Sequence, residues 1–315
     1  MSLLKLRPIG KDYLWGGERL KKEYGKDINI TPLAETWECS VHPDGMSIIV
    51  GGEFDGKTLA EVVEKNPDFL GEKNKNEFPI LVKFIDAAEN LSVQVHPNDV
   101  YAKLNEGQNG KTEMWYILDA AADSFLIYGF EAEYSKETIR RAAENGTLMN
   151  YLHKEKVQKG DTVFIPAGTV HAIGKGLLIA EIQENSNVTY RIYDYDRIDK
   201  NGNKRELHID KALEVMNTNK APKLTKYSVL NNDEYSERML CKCDCFQTNH
   251  ILIKRLYESY VDSSGCEIIL CIDGEGNIFS DGCEVKFGKG DCIFITSDTG
   301  RYVIKGGSEL LRIKI

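Results

Sequence analysis

No run among the 315 residues approaches the roughly 18 apolar positions that a membrane span requires. The N-terminal stretch "MSLLKLRPIGKDYLWGG" also lacks the sustained apolar segment of a secretory signal. These absences predict a cytoplasmic protein with no membrane partner. A Lys/Arg-rich run is missing as well: 40 basic residues are outnumbered by 49 acidic ones, and the net charge of −9 makes nucleic acid a poor partner. There is no CxxC pair, so the eight cysteines do not have the spacing of a zinc loop. Seven of the eight lie beyond residue 240. Cys241, Cys243 and Cys245, spaced by two, read as small apolar side chains on one face of a strand, in a protein kept reduced. The length and a hydrophobic fraction of 42% provide a core without disulfides, in one large or two medium domains.

What the chain does contain is short β-type runs punctuated by Gly, Asn and Asp, among them "GMSIIVGG", "FPILVKFIDA", "EMWYILDA", "DSFLIYGF" and "DTVFIPAG". Such spacing predicts an all-β sandwich or barrel. Helical patterns interrupt it at "TLAEVVEKNPDFLG", with Thr58 as N-cap, at "SKETIRRAAENGTLMNYLHK", opening on Ser135, and at "HIDKALEVMN". An internal repeat is more informative. "KGDTVFIPAGTVHAI" begins at Lys159 and "KGDCIFITSDTGRYVI" at Lys289, and in the second copy Pro166, Gly168 and His171 are replaced by Thr296, Asp298 and Arg301. The repeat predicts two similar β-modules, one chemically active and one structural. The polar segment "APKLTKYSVLNNDEYSER" reads as the linker, which divides the chain into modules 1–225 and 226–315.

The segment "LSVQVHPND" carries the first chemical signal. Val93 and Val95 fix a strand by alternation, so Ser92, Gln94 and His96 share the opposite face, and Pro97 stops the pairing. His171 follows "IPAGTV", where Pro166 and Gly168 pre-set a turn, and Glu113 in "KTEMWYIL" opens another strand. Two imidazoles, one carboxylate and one amide oxygen form a four-ligand set suited to a divalent ion such as zinc. With only one anionic ligand the ion would keep positive charge, as a Lewis acid with open coordination positions must.

The run from Gly160 to His171, G-x5-P-x-G-x2-H, resembles the second cupin motif, and cupins are jelly rolls that hold a metal inside the barrel. More specifically, "LVKFIDAAENLSVQVHPND", "KTEMWYIL", "IPAGTVHAIGKGLLIAEIQENSN" and "YRIYDYDR", in this order, resemble the type I mannose-6-phosphate isomerases, in particular their shorter bacterial branch. The resemblance runs from "YLWGG" near Tyr13 to about Met216, with a weaker cupin half beyond. It implies a mainly β double-cupin fold with two jelly-roll modules and a few external helices. It further implies one Zn2+ per chain held by Gln94, His96, Glu113 and His171, an active-site arginine at Arg191 and a lysine near the metal at Lys111. Arg191 lies in "TYRIYD", where Tyr190 and Ile192 take one face, so an inward guanidinium calls for an anion such as a sugar phosphate.

The implied reaction is the interconversion of mannose 6-phosphate and fructose 6-phosphate through a cis-enediol(ate). Glu181 in "IAEIQENSN" and Lys111 are the alternatives for the proton carrier, with Arg191 stabilising negative charge. Lys83 and the "YLWGG" segment frame the pocket, and Trp15 is either a sugar platform or a core residue. Relatives carry an acid where this chain has Asn187, which removes one potential proton carrier. A monomer or weak homodimer is expected. Three rivals compete: a non-catalytic sugar-phosphate-binding cupin, an isomerase of free mannose, and an iron dioxygenase, although Gln94 in the ligand set favours a redox-inert ion.

Overall fold

In the computed structural model, which describes residues 3–75, 77–198, 202–224 and 228–315, the strands form three hydrogen-bonded sheets. Six of them lie in the order Thr162–Ile165, Glu113–Ala120, Leu177–Glu184, Ile80–Ala87, Glu35–Cys39 and Ile9–Lys11. A five-stranded sheet follows Tyr190–Tyr193, Val93–Val95, His171–Ile173, Phe125–Phe130 and Leu152–Lys156. These two sheets make the first barrel, and all their ladders are antiparallel.

The third sheet has eleven strands and makes the second barrel. It closes because the 14-residue strand Glu267–Ser280 changes partners along its length. Its first half pairs with Cys292–Ile295 and Ser308–Lys314, its second half with Cys283–Gly288 and Gly300–Lys305. The change comes at a register shift between Cys271 and Asp273, beside Gly274. Gly274 has φ +78°, and a Cβ there would stand 2.3 Å from the Gly307 carbonyl oxygen, so only glycine fits this bend. The fold is mainly β and of the cupin type, as the sequence predicts.

The internal repeat is reproduced in backbone geometry. Gly160 and Gly290 turn with φ of +89° and +91°, and Gly168 and Asp298 are both left-handed. The barrels are not, however, consecutive blocks of chain. Leu3–Arg7 pairs with Cys292–Ile295 and with Ile48–Val50, so the first strand belongs to the second barrel's sheet. Leu4, Phe84, Tyr116, Leu270 and Phe294 share one apolar cluster that crosses from barrel to barrel.

The three expected helices form at Leu59–Lys65, Lys136–Glu144 and Ile209–Val215. Thr58 and Glu61 make a reciprocal capping box, and the Ser135 hydroxyl accepts from the Thr138 amide. Two further helices, Arg19–Tyr24 and Asp99–Asn105, are short, and the second is capped by Asn98. The expected linker is partly strand: Val229–Asn231 and Tyr235–Lys242 pair with each other, an exposed edge ladder whose polar residues mask the alternation, while residues 225–227 lie outside the described ones. The reading of Cys241, Cys243 and Cys245 as one strand face is corrected too. The strand ends at Lys242, and the Cys243 amide bonds to the Phe246 carbonyl, so Cys243 and Cys245 sit in a hairpin turn.

Candidate functional site

Strand register brings the site together. Across the five-stranded sheet, Arg191 pairs with Gln94 and Gln94 with His171, so these three side chains emerge on one face. Across the six-stranded sheet Lys83 pairs with Glu181, Glu181 with Trp115, and Gln183 with Glu113. Glu113 and Trp115, two residues apart, share that face. His96 follows the last residue of Val93–Val95, and Lys111 precedes the strand that Glu113 opens, its amide bonded to the Pro97 carbonyl. The proline that ends one strand therefore also positions the lysine.

Where the two faces meet, His96, Glu113 and His171 are fully buried with their ligand-type atoms within 4.8 Å of one another. The Glu113 oxygens lie 3.2 Å from His171 Nε2 and 3.7 Å from His96 Nε2. Each imidazole places its other nitrogen on a backbone carbonyl, His96 Nδ1 on Val188 and His171 Nδ1 on Thr169, both at 2.8 Å. With Nδ1–H committed there, Nε2 presents a lone pair to the cluster. Burial, aided by Lys111, holds the His96 imidazole well below its ordinary range, and burial brings His171 down to about 4, so both rings are neutral at pH 7.

Glu113 is the unusual member. Burial pushes its carboxyl up to about 7 against the pull of the Lys111 ammonium, whose Nζ lies 2.9 Å away. Neither of its oxygens receives an aligned hydrogen bond. A buried carboxylate bordered by two lone pairs is unfavourable by itself and favourable around a cation. Gln94 Nε2 stands 3.5 Å from His171 Nε2, and turning the amide over presents Oε1 at the same place. Gln94, His96, Glu113 and His171 thus supply nitrogen and oxygen donors on one point, a set that fits a borderline divalent ion.

A cavity of about 280 Å³ opens above this cluster, lined among others by Trp15, Lys83, Gln94, Lys111, Glu181 and Arg191. Lys83 Nζ bridges Glu181 at 3.1 Å and Glu35 at 3.7 Å, while the indole N–H groups of Trp115 and Trp37 bond the same two carboxylates. Burial opposes charge on Glu181, but Lys83 and Lys111 outweigh it and hold the carboxyl down at about 2. Lys83 is kept above its ordinary value because Glu181 and Glu35 overcome its own burial.

Arg191 reaches the cavity with one guanidinium nitrogen on the Glu206 carbonyl and its buried Nε without a partner. Burial, with Arg205 and Arg197 nearby, disfavours its charge, an arrangement that an anion would relieve. Arg205 clasps Asp194 through Nε at 2.8 Å, and Arg197 bonds the same carboxylate. Trp15 is 4% exposed, stacked on Tyr13 at 5.4 Å, and part of the cavity wall. Asn187 donates to Asp44 Oδ2 at 2.8 Å.

Glu35, Trp37 and Arg205 escaped the sequence reading. Every residue of Glu35–Cys39 is buried, so the strand shows no alternation to single out Glu35. The pairing of Arg205 with Asp194 spans a loop and has no periodic signal.

Two cupin barrels, one of them built around a buried His–Glu–His cluster under a cationic cleft, define an enzyme of the bicupin class. Residues 3–121 match the catalytic domain of type I phosphomannose isomerase, and residues 236–315 match the mannose-6-phosphate isomerase cupin domain. The chain is 36% identical over 312 residues to a mannose-6-phosphate isomerase of Bacillus subtilis, covering 98% of this chain and 97% of that one. To the enzyme of the same name from Streptococcus mutans it is 43% identical over 212 residues, 67% of each chain. The crystal structure of the mannose 6-phosphate isomerase from Bacillus subtilis superimposes with a TM-score of 0.94 at 33% identity over 100% of both chains. The chain belongs to the type I mannose-6-phosphate isomerase family.

Proposed function

We propose that the chain interconverts mannose 6-phosphate and fructose 6-phosphate, with one zinc ion held by Gln94, His96, Glu113 and His171. The observation that carries this reading is Glu113: buried, with no aligned donor, and faced by two imidazoles whose Nδ1 atoms are already committed. Zinc bound there would supply Lewis acidity for the negative charge that develops when a proton leaves the carbon beside the carbonyl.

The remaining work falls to the chain's own side chains. Arg191, with an unpartnered Nε at the cavity, meets the phosphate or the enediolate oxygen. The proton carrier between C1 and C2 is assigned to Lys111. Its Nζ lies at the cluster, 3.2 Å from His96 Nε2, on a side chain that lines the cavity. Glu181 is the weaker base, with one oxygen on Trp115, the other beside Lys83, and a carboxyl held at about 2. In this scheme Lys83 positions Glu181, and Trp15 on Tyr13 offers an apolar face to the sugar ring. The catalytic unit is the first module, about residues 1–225 apart from Leu3–Arg7 and Ile48–Val50, which pair into the second barrel's sheet. His96, Glu113 and His171 are the one such cluster among the described residues, and the module from 226 onward covers one side.

The test is a coupled assay for fructose 6-phosphate, run on the metal-replete protein, after chelation, and after zinc is returned. Activity that disappears on verified metal removal and returns with zinc is the expected result. Full turnover by protein shown to be metal-free overturns the metal assignment. Mannose consumed as efficiently as mannose 6-phosphate overturns the substrate assignment.

A further inference from the structure

The hairpin that joins Tyr235–Lys242 to Gln247–Ile253 carries Cys241, Cys243 and Cys245. Cys241 is buried, and Cys243 and Cys245 are partly exposed. Cys243 and Cys245 stand two residues apart in this turn, and the Cys243 thiol donates to the Phe246 carbonyl oxygen at 3.5 Å. Cys245 points away from the hairpin into the first barrel, where its Sγ donates to Glu184 Oε1 at 3.3 Å. The other oxygen of Glu184 accepts the Thr112 amide at 2.5 Å, and Thr112 lies between Lys111 and Glu113. A chain of contacts thus leads from a surface turn of one barrel to the backbone under the buried cluster of the other.

We propose that Cys243 is a site of oxidative modification by hydroperoxides, with Cys245 as the resolving thiol and Glu184 as the acceptor of its proton. Cys243 and Cys245 are both partly exposed in one tight turn; the neighbouring Cys241 thiol, with the turn's backbone, lowers the Cys243 thiol below its ordinary range, and the thiolate is the reactive form. Cys243 sulfur attacks one peroxide oxygen; the O–O bond breaks, leaving sulfenic acid and hydroxide. Cys245 then loses its proton to Glu184, and its sulfur attacks the Cys243 sulfur. The S–O bond breaks, and the departing hydroxide takes the proton from Glu184. In sum, two thiols and one hydroperoxide give one disulfide and two waters, or a water and an alcohol from an organic hydroperoxide. Two residues fully extended span about 7 Å, and the turn shortens that span toward the Cα separations a disulfide accepts. Forming the bond draws Cys245 Sγ from Glu184 and loosens the hold on Thr112.

The chemistry does not depend on what the cleft catalyses. Trypsin cuts after Arg238, Lys242 and Lys254, which separates Cys241 from a single peptide containing Cys243 and Cys245. The reduced, metal-replete protein is treated with stoichiometric hydrogen peroxide and alkylated. The expected product is the 243–254 peptide with two hydrogens lost and no alkyl group, reversible by dithiothreitol, with Cys241 still alkylated. Cys243→Ser should slow thiol loss from this peptide by at least about tenfold. Cys245→Ser should leave a sulfenic acid at Cys243 that dimedone traps. Amide exchange at Thr112 should quicken in the oxidised protein and not in oxidised Cys245→Ser. A cross-link between Cys241 and Cys243, equal oxidation of Cys243→Ser, or a peptide that stays fully reduced would overturn the proposal.

Discussion

The two barrels place a glutamate at the same point of the same ladder and treat it in opposite ways. Glu113 pairs with Ile165, and Glu267 pairs with Ile295, which is the repeat partner of Ile165. Glu113 faces the Nε2 atoms of two neutral imidazoles, and its one cationic neighbour, the Lys111 ammonium 2.9 Å away, makes no aligned hydrogen bond to either oxygen. Glu267, equally buried, receives the Tyr302 hydroxyl at 2.6 Å and has Lys314 Nζ at 3.4 Å. The phenol takes the place of the histidine by a change of parity. Arg301, the residue aligned with His171, turns outward to Glu258, and Tyr302 beside it turns in. The second interior is otherwise largely apolar, with Ile251, Ile278, Phe287, Ile293 and Ile304, and its buried Arg312 is taken up by Tyr257 and Glu237. A buried carboxylate that receives an aligned hydroxyl donor is satisfied within the protein; one that shares a single lysine with two imidazole acceptors still has room for a cation.

That contrast is broken most sharply by the same substitution in both barrels. Glu113→Gln should abolish stoichiometric metal content and lower turnover by at least about a thousandfold, because Lewis acidity supplies several kcal/mol at the transition state. Glu267→Gln should leave metal content and turnover unchanged while lowering the melting temperature. Equal loss of activity from both would show that the second carboxylate is not merely structural. The next largest effect is expected from Arg191→Ala, a fall in kcat of about a hundred- to a thousandfold, as for other groups that meet developing charge. A rise in KM alone would move Arg191 to ground-state phosphate binding.

Much of this asymmetry is legible in the sequence and part of it is not. "VQVHP" shows its two faces because the strand alternates, and "KGD" marks both turns. The equivalence of Glu113 and Glu267 is hidden. The first barrel inserts a helix, Lys136–Glu144, and a strand, Leu152–Lys156, between its glutamate strand and its turn, so the two glutamates do not share the 130-residue offset. Membership of Leu3–Arg7 in the second barrel has no local signature, since the strand that ties it there, Cys292–Ile295, lies nearly the whole chain away. The helix Asp99–Asn105 was readable: Asn98, after Pro97, is a strong N-cap, and its side chain accepts the Tyr101 amide. The hairpin cysteines misled because a spacing of two fits a strand face and a tight turn equally well.

Within the second barrel the contrast can be sharpened without touching the carboxylate. Tyr302→Phe removes one oxygen from a fully buried ring and withdraws the Glu267 donor. It should cost about 1 to 3 kcal/mol in urea unfolding, with KM and kcat unchanged. No stability loss would mean that Lys314 alone satisfies the carboxylate.

The smallest effect lies where the barrels meet. Glu309 Oε1, from the second barrel, accepts from His250 at 2.6 Å and from the Tyr116 hydroxyl of the first at 3.1 Å. The His250 hydrogen bond holds the Glu309 carboxyl below its ordinary value of 4.5, against the effect of burial. A carboxyl lowered by folding stabilises the native state above its unfolded pKa, and that contribution fades as pH falls through the folded one. The stability gap between the native chain and Glu309→Gln should therefore shrink steadily as pH falls below about 5, by on the order of 1 kcal/mol at most. A gap that widens in acid would mean that the barrels are joined chiefly by the apolar cluster around Phe84, Tyr116 and Leu270, with the charge at Glu309 opposing the union.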